Sequence, residues 1–449
     1  MNGKQVKAIV PPDWFAKGSV YQINPRNFSP EGTIAAITKE LPRLAEMGFT
    51  TVYLCPIFEE DDSEDKKNWS PRQIRSGTEN PKNPYRMNDY FKIDPEYGTM
   101  EDLKAFTQEA HRLGMRAMLD LVFYHIGPKA PVLVEHPEFA MHDENGEIVL
   151  TGWGFPRLNY DSPGLREYLW CNMVYYIGTI DADGFRCDVG DTVPIDFWAE
   201  GRRRIQAIKP DAVLLNEGSN WTYLEKGFDA SYSFAWHDII YDVISEKKPA
   251  SAIRTWHEDL RSKAPDGAVI LRDMDNHDMV TDWPARAEIV AGHGGMEAIE
   301  VLNYLIDGIP MVFCGNEFAD TANLSMFANR FHMGRYELIN KSIMQEPYSI
   351  RRQNVMRKLN GWKREEEVLH KGDTIWHDHS APDQVLAFSR VLDEKRITVI
   401  ANFSNRKVSC KLDGPETEKG AVLLQSEKAP VPAGDTIELE AWGYLVVAN

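Results

Sequence analysis

The chain has 449 residues, 43% of them hydrophobic and 26% charged, with a formal net charge of −18. That acidity, with no basic block to offset it, argues against a nucleic-acid partner, and no run approaches the roughly 18 apolar residues of a membrane span. The length suits one large unit with a smaller companion. The N-terminus, Met1-Asn2-Gly3-Lys4, lacks the apolar core of a signal peptide. A cytoplasmic location is therefore expected, a secreted or periplasmic one requiring a leader outside this sequence.

Apolar segments that suit strands alternate with helical patterns over roughly the first 360 residues, which points to β/α units around a parallel sheet. In chain order the expected strands are Ser19 to Ile23, Thr51 to Leu54, Arg116 to Val122, Asp183 to Cys187 and Ala212 to Asn216. Phe228 to Tyr232, Val269 to Arg272 and Pro310 to Phe313 complete the set. Helices fit between them. From Glu101 to Leu113, for example, Leu103, Phe106, Ala110 and Leu113 recur at helical spacing, and Gly114 stops the run. The expected fold class is α/β, a (β/α)8 TIM barrel.

Two connections are too long for simple turns. Phe58 to Asn83 is polar and belongs above the second strand; Ile126 to Tyr160, rich in proline, makes a small excursion after the third. A third long loop, Gly315 to Tyr336, follows the eighth strand. From about Leu369 the texture changes: Val385 to Val391, Arg396 to Phe403, Lys407 to Leu412 and Gly443 to Val447 alternate, which reads as a terminal antiparallel β-sandwich. The expected division is a barrel over 1–125 and 161–365, an inserted domain over 126–160 and an all-β domain over 366–449. None of the five cysteines has metal-ligand spacing, and Cys187 reads as a packing residue because it alternates with its strand neighbours.

Four segments carry chemistry: Asp120 to His125, Gly184 to Asp188, Asn216-Glu217 and Asn276-His277-Asp278, each at the end of an expected strand. A parallel barrel gathers the C-terminal ends of its strands on one face, so these distant residues converge. A carboxylate nucleophile, a carboxylic acid proton donor and a third acid for a cationic transition state are what glycosidic cleavage needs. A single buried aspartate is more often half of an ion pair; three acids with an arginine and two histidines are a catalytic set.

In order and spacing these segments resemble the four regions of the α-amylase family, glycoside hydrolase family 13. Tyr85-Arg86-Met87-Asn88-Asp89-Tyr90 and Gly308-Ile309-Pro310 through Gly315-Asn316-Glu317 resemble two further stretches of that family. The resemblance implies that Asp188 is the nucleophile, Glu217 the acid/base and Asp278 the transition-state stabiliser. It implies that Arg186 holds the nucleophile ionised, that His125 and His277 donate hydrogen bonds to the sugar, and that Tyr85 stacks beneath it. Asp120 is implied to be structural, paired with Arg186. Trp69 and Trp153, in the two long loops, are candidates for sugar stacking.

Where many α-amylases have an asparagine that helps hold calcium, this chain has Tyr124, so no metal ligand is assigned, no cofactor is required, and calcium lacks its usual support. Val189-Gly190-Asp191 replaces the Lys-His pair common after the nucleophile. Val20 to Phe28 and Phe155-Pro156-Arg157-Leu158-Asn159 resemble the neopullulanase and cyclomaltodextrinase group, without that group's N-terminal domain in this sequence. The expected activity is retaining hydrolysis of α-1,4-linked maltooligosaccharides or starch fragments, with an oligosaccharide or polysaccharide as the partner and neither nucleic acid nor membrane. The alternatives are a transglycosylase or isomerase acting on trehalose, sucrose or α-1,6 linkages, and a non-catalytic binding subunit.

Overall fold

A computed structural model describes residues 6–232, 234–282, 286–332, 336–412, 420–433 and 436–449; Met1 to Lys4, read above for a leader, lies outside them. Eight parallel strands form one sheet: β1 (Val20–Ile23), β2 (Thr51–Leu54), β3 (Arg116–Leu121), β4 (Gly184–Cys187), β5 (Val213–Glu217), β6 (Ala230–Tyr232), β7 (Leu271–Arg272) and β8 (Ile309–Phe313). They pair in chain order and β8 returns to β1. Between β6 and β7 the ring is joined by one bridge, Ser231 to Ile270, and a 3.2 Å bond from the Ser231 N–H to the Val269 carbonyl.

Strand alternation explains why these short apolar segments close into a barrel. Val20, Tyr53, Met118, Val213, Leu215 and Met311 form the filled interior, while their neighbours Tyr21, Val52, Leu54, Leu119, Phe185 and Leu214 face the helices outside. Cys187 falls in the outer layer and is buried there, as its alternation requires. The helix read from Glu101 spans Met100–Arg112. Thr99 and Asp102 cap it reciprocally, which uses two backbone N–H groups that a helix start leaves unpaired.

After β2 the chain makes an antiparallel pair, Phe58–Glu60 with Met87–Ile93, enclosing the polar loop. After β3 the excursion carries a short helix, Pro131–Glu135, and folds back through bridges such as Ala140 to Leu158. The C-terminal part has β9 (Asp373–Trp376), β10 (Val385–Leu392), β11 (Lys395–Asn402), β12 (Ala421–Gln425) and β13 (Tyr444–Ala448) in one antiparallel sheet. A three-stranded sheet, Val408–Cys410, Val431–Ala433 and Thr436–Leu439, covers it. Along β10, Leu386 and Phe388 join the hydrophobic cluster of the barrel, while Val385 and Ala387 join a separate one with Cys410 and Leu439. Two-residue periodicity thus packs one strand against two layers at once. Among the described residues no helix is long and apolar enough to cross a membrane.

Candidate active site

The C-terminal ends of β3, β4, β5 and β7 surround a cavity of about 400 Å³. Asp188, Glu217, Asp278, Tyr85 and His125 line it together, so five of the eight expected site residues meet at one surface. Arg186, His277 and Asp120 stand immediately behind and are fully buried.

Arg186 is the hub. It follows the glycine that starts β4, and its side chain points into the barrel, where no water competes for it. Nη1 donates to Asp120 Oδ1 at 2.9 Å and to Asp188 Oδ1 at 2.9 Å. Nη2 lies 2.7 Å from Glu217 Oε2, and both Nη2 and Nε donate to the Tyr232 hydroxyl. Asp120 is further tied by the hydroxyls of Tyr53 and Tyr85. One guanidinium therefore holds three carboxylates, two of which face the cavity.

Glu217 also accepts the backbone N–H of Val189 at 2.7 Å. Val189 has a φ of 39°, a left-handed conformation that a β-branched side chain rarely adopts. The turn after Asp188 is strained, and its N–H is aimed at the neighbouring acid. Burial raises the pKa of both Asp188 and Glu217 against the pull of Arg186, and surrounding carboxylates add to it. The pair retains a proton that exposed carboxyls would lose.

Asp278 differs. Burial disfavours its charged form too, but His277, Arg72 and Arg186 outweigh it and hold the carboxyl well below its ordinary range. Because burial also pushes His277 down, the cation that persists beside Asp278 at neutral pH is Arg72, whose Nη1 donates to Oδ1 at 2.7 Å.

The histidine protons follow from their partners. Gln22 Oε1 accepts the His277 backbone N–H at 3.2 Å, so its Nε2 is the donor to His277 Nδ1 at 2.9 Å. His277 then carries its proton on Nε2, against the Tyr85 hydroxyl and Asp278. His125 Nε2 lies 2.7 Å from the Tyr85 carbonyl, an acceptor, so Nε2 carries the proton. Its Nδ1 is an acceptor without a partner among the described residues, and burial lowers the ring pKa to about 4. Trp153 and Phe155 pack against this ring at 5.5 and 5.1 Å and line the cavity. Trp69 does not; it is buried, with its indole N–H on the Ser63 carbonyl.

Sequence reading missed Gln22, Tyr53, Arg72, Tyr232 and Phe327. Gln22 stands in a quoted stretch, but nothing local marks its bond to a histidine 255 positions away.

Comparisons with known proteins place the chain beside α-glucan-processing enzymes. The family model of the α-amylase catalytic domain matches residues 9–146, and that of the maltogenic amylase C-terminal domain matches 378–446. The cyclomaltodextrinase of Thermoanaerobacter pseudethanolicus is 24% identical, covering 93% of this chain and 75% of its own length. The intracellular maltogenic amylase of Bacillus subtilis is 25% identical, covering 97% of this chain and 75% of its own. In sequence the chain is similar to the α-amylase family, glycoside hydrolase family 13. The maltogenic α-amylase AmyB of Thermotoga neapolitana shares the fold with a TM-score of 0.80 at 23% identity, over 97% of this chain and 99% of that one.

Within this chain, the catalytic-domain model reaches Asp120 and His125 and ends before Asp188. At the position of the family's calcium-holding asparagine, Tyr124 presents its ring to the Arg157 guanidinium at 5.5 Å and to Trp153 at 6.1 Å. A cation stacked on an aromatic face is not an oxygen cage, and these residues do not fit calcium.

Proposed function

We propose that the protein is a retaining α-glycoside hydrolase cleaving α-1,4 bonds of maltooligosaccharides or starch-derived glucans. The observation that carries this reading is Arg186, whose one guanidinium spans Asp188 and Glu217 at the wall of a single cavity that Asp278 also lines. An Asp188 oxygen attacks the anomeric carbon, and the departing glycosidic oxygen takes the proton of Glu217. The resulting glycosyl ester is cleaved by water, which gives a proton to Glu217 as it attacks, and Asp188 leaves as the carboxylate. Asp278, held ionised, opposes the positive charge that builds on the ring in the transition state of each step. Tyr85 lies beneath the reacting ring, and the His125 ring stands in the wall beside it. His277 acts from behind, through Tyr85 and Asp278, rather than on the open surface.

The names of the relatives, cyclomaltodextrinase and maltogenic amylase, support α-glucans as the substrate class, and the word intracellular in one of them supports a cytoplasmic location. The same reading divides the chain into a catalytic barrel over 1–125 and 161–365, an inserted domain over 126–160 and a terminal domain over 366–449. Proton NMR of the first product from maltotetraose tests the mechanism. Two inversions give an initial α-anomer signal; an initial β signal would mean that Asp188 is not the nucleophile.

A further inference from the structure

We propose that the cavity is closed on its glycone side by Arg72 and Phe327, so that the enzyme takes glucans by their non-reducing ends. This rests on the glucan-hydrolase reading above and goes beyond it, since that reading is silent on where along a chain the cut falls.

Arg72 sits on a short helix, Pro71–Arg75, in the loop that follows β2. Phe327 belongs to the loop that follows β8, and the Arg72 guanidinium lies 5.6 Å from the centre of its ring. The two loops are tied at this point. Thr78 Oγ1 and Asn80 Nδ2 both donate to the Phe327 carbonyl, at 2.9 and 3.2 Å. Arg26 Nη1 donates to the adjacent Met326 carbonyl at 2.6 Å, and the Met326 N–H donates to Thr281 Oγ1 at 3.1 Å. The side chains of Arg72 and Asp278 are only 21% and 13% exposed, so their ion pair is a fixed part of the wall. Separating it would leave a largely desolvated charge without its partner, which disfavours transient opening.

Barrel topology gives the wall its direction. In a ring of eight strands β1 stands opposite β5. Glu217 ends β5, while Arg72 and Phe327 come from the loops after β2 and β8, the two neighbours of β1. The acid and the wall thus face each other across the cavity. Glu217 protonates the leaving oxygen, so the departing part of the substrate extends on its side. The ring that becomes joined to Asp188 extends the other way, with its 4-hydroxyl toward Arg72 and Phe327. An internal glucose carries the next sugar on that oxygen, and the wall occupies its path. A cavity of about 400 Å³ lies toward the small end of ligand pockets, suited to a chain end rather than a threaded polymer.

The test compares p-nitrophenyl maltoheptaoside with the same compound capped by an ethylidene group on O4 and O6 of its non-reducing sugar, with products read by chromatography. Wild-type enzyme is expected to cleave the capped compound about 100-fold more slowly. Arg72→Ala and Phe327→Ala are each expected to narrow that ratio about tenfold, whatever happens to the absolute rate. The ratio discriminates, because general damage to the site slows both substrates alike. Similar wild-type rates on the two compounds would overturn the proposal, as would an unchanged ratio in variants that melt like wild type. Failure to cleave either compound would instead sink the glucan reading, and this inference with it.

Discussion

Arg186 meets three carboxylates with a single positive charge, and that imbalance is what the site runs on. Burial favours the protonated form of both Asp188 and Glu217, and the proposed mechanism needs the proton on Glu217. Glu217→Gln is therefore expected to lower kcat on natural glucans by about 10²–10⁴-fold while sparing the first step on substrates with good leaving groups, which need no proton. Equal losses of kcat/KM, which reports the first step, on both substrate types would remove Glu217 from the acid role. Gln22 offers a subtler test. Gln22→Glu puts a carboxylate against His277 Nδ1 and draws a proton there, and kcat should fall about tenfold or more as the histidine is mis-set. Nitrogen NMR of labelled histidine reads the tautomer directly; a wild-type ring protonated on Nδ1 would disprove the assignment. Asp188 and Glu217 were legible in the sequence because each stands at the end of an apolar strand, and Asp278 through the Asn276-His277-Asp278 stretch that follows one. Gln22, Arg72 and Tyr232 were not, because their partners arrive from other loops and strands and leave no local pattern.

Among the elements, the strands were legible almost to the residue, since alternation and apolar content are local properties. β6 and β7 are the exceptions: five and four residues were expected and three and two are strand, at the place where the ladder between them is reduced to one bridge among the described residues. The loops after β2 and β8 were not legible; their conformation depends on each other, through Phe327. The helix Ala287–Leu305 hides another feature, Glu300, buried with Oε2 unpartnered among the described residues. Burial, against the pull of Arg352, raises its pKa to about 8. Its unfolded value is about 4.3, so the folded protein binds the extra proton between these limits. Its contribution is fully present below about pH 4 and is lost as pH rises to about 8. Glu300→Gln should thus gain on wild type in melting temperature between about pH 5 and pH 8.5. A Tm difference that stays constant over that range would contradict the assignment.

At the scale of the molecule, the barrel and the terminal sheet share one hydrophobic cluster, in which Leu386, Phe388, Val399 and Tyr444 are continuous with the barrel's outer layer. Polar ties reinforce it: the Tyr444 hydroxyl and Arg351 both donate to Glu297, at 2.7 and 2.6 Å. The full chain should therefore unfold in one calorimetric transition, and a chain ending at Lys371 should be insoluble. Two resolved transitions, or a soluble and active shortened chain, would show that the terminal sheet is an independent unit. The sequence change near Leu369 marked where the second architecture begins but carried no sign of this shared core, because the joining residues are simply the inward half of each strand.

The ring of strands has one thin joint, where a single bridge from Ser231 to Ile270 stands in for a ladder. Local opening begins where the fewest bonds hold. Glu217 lies on one side of that joint and Asp278 on the other. When the joint breathes, the carboxyl proposed as proton donor and the one proposed to steady the charged transition state move apart, although every helix and the terminal sheets stay folded. Warming should silence this enzyme some degrees before it unfolds it.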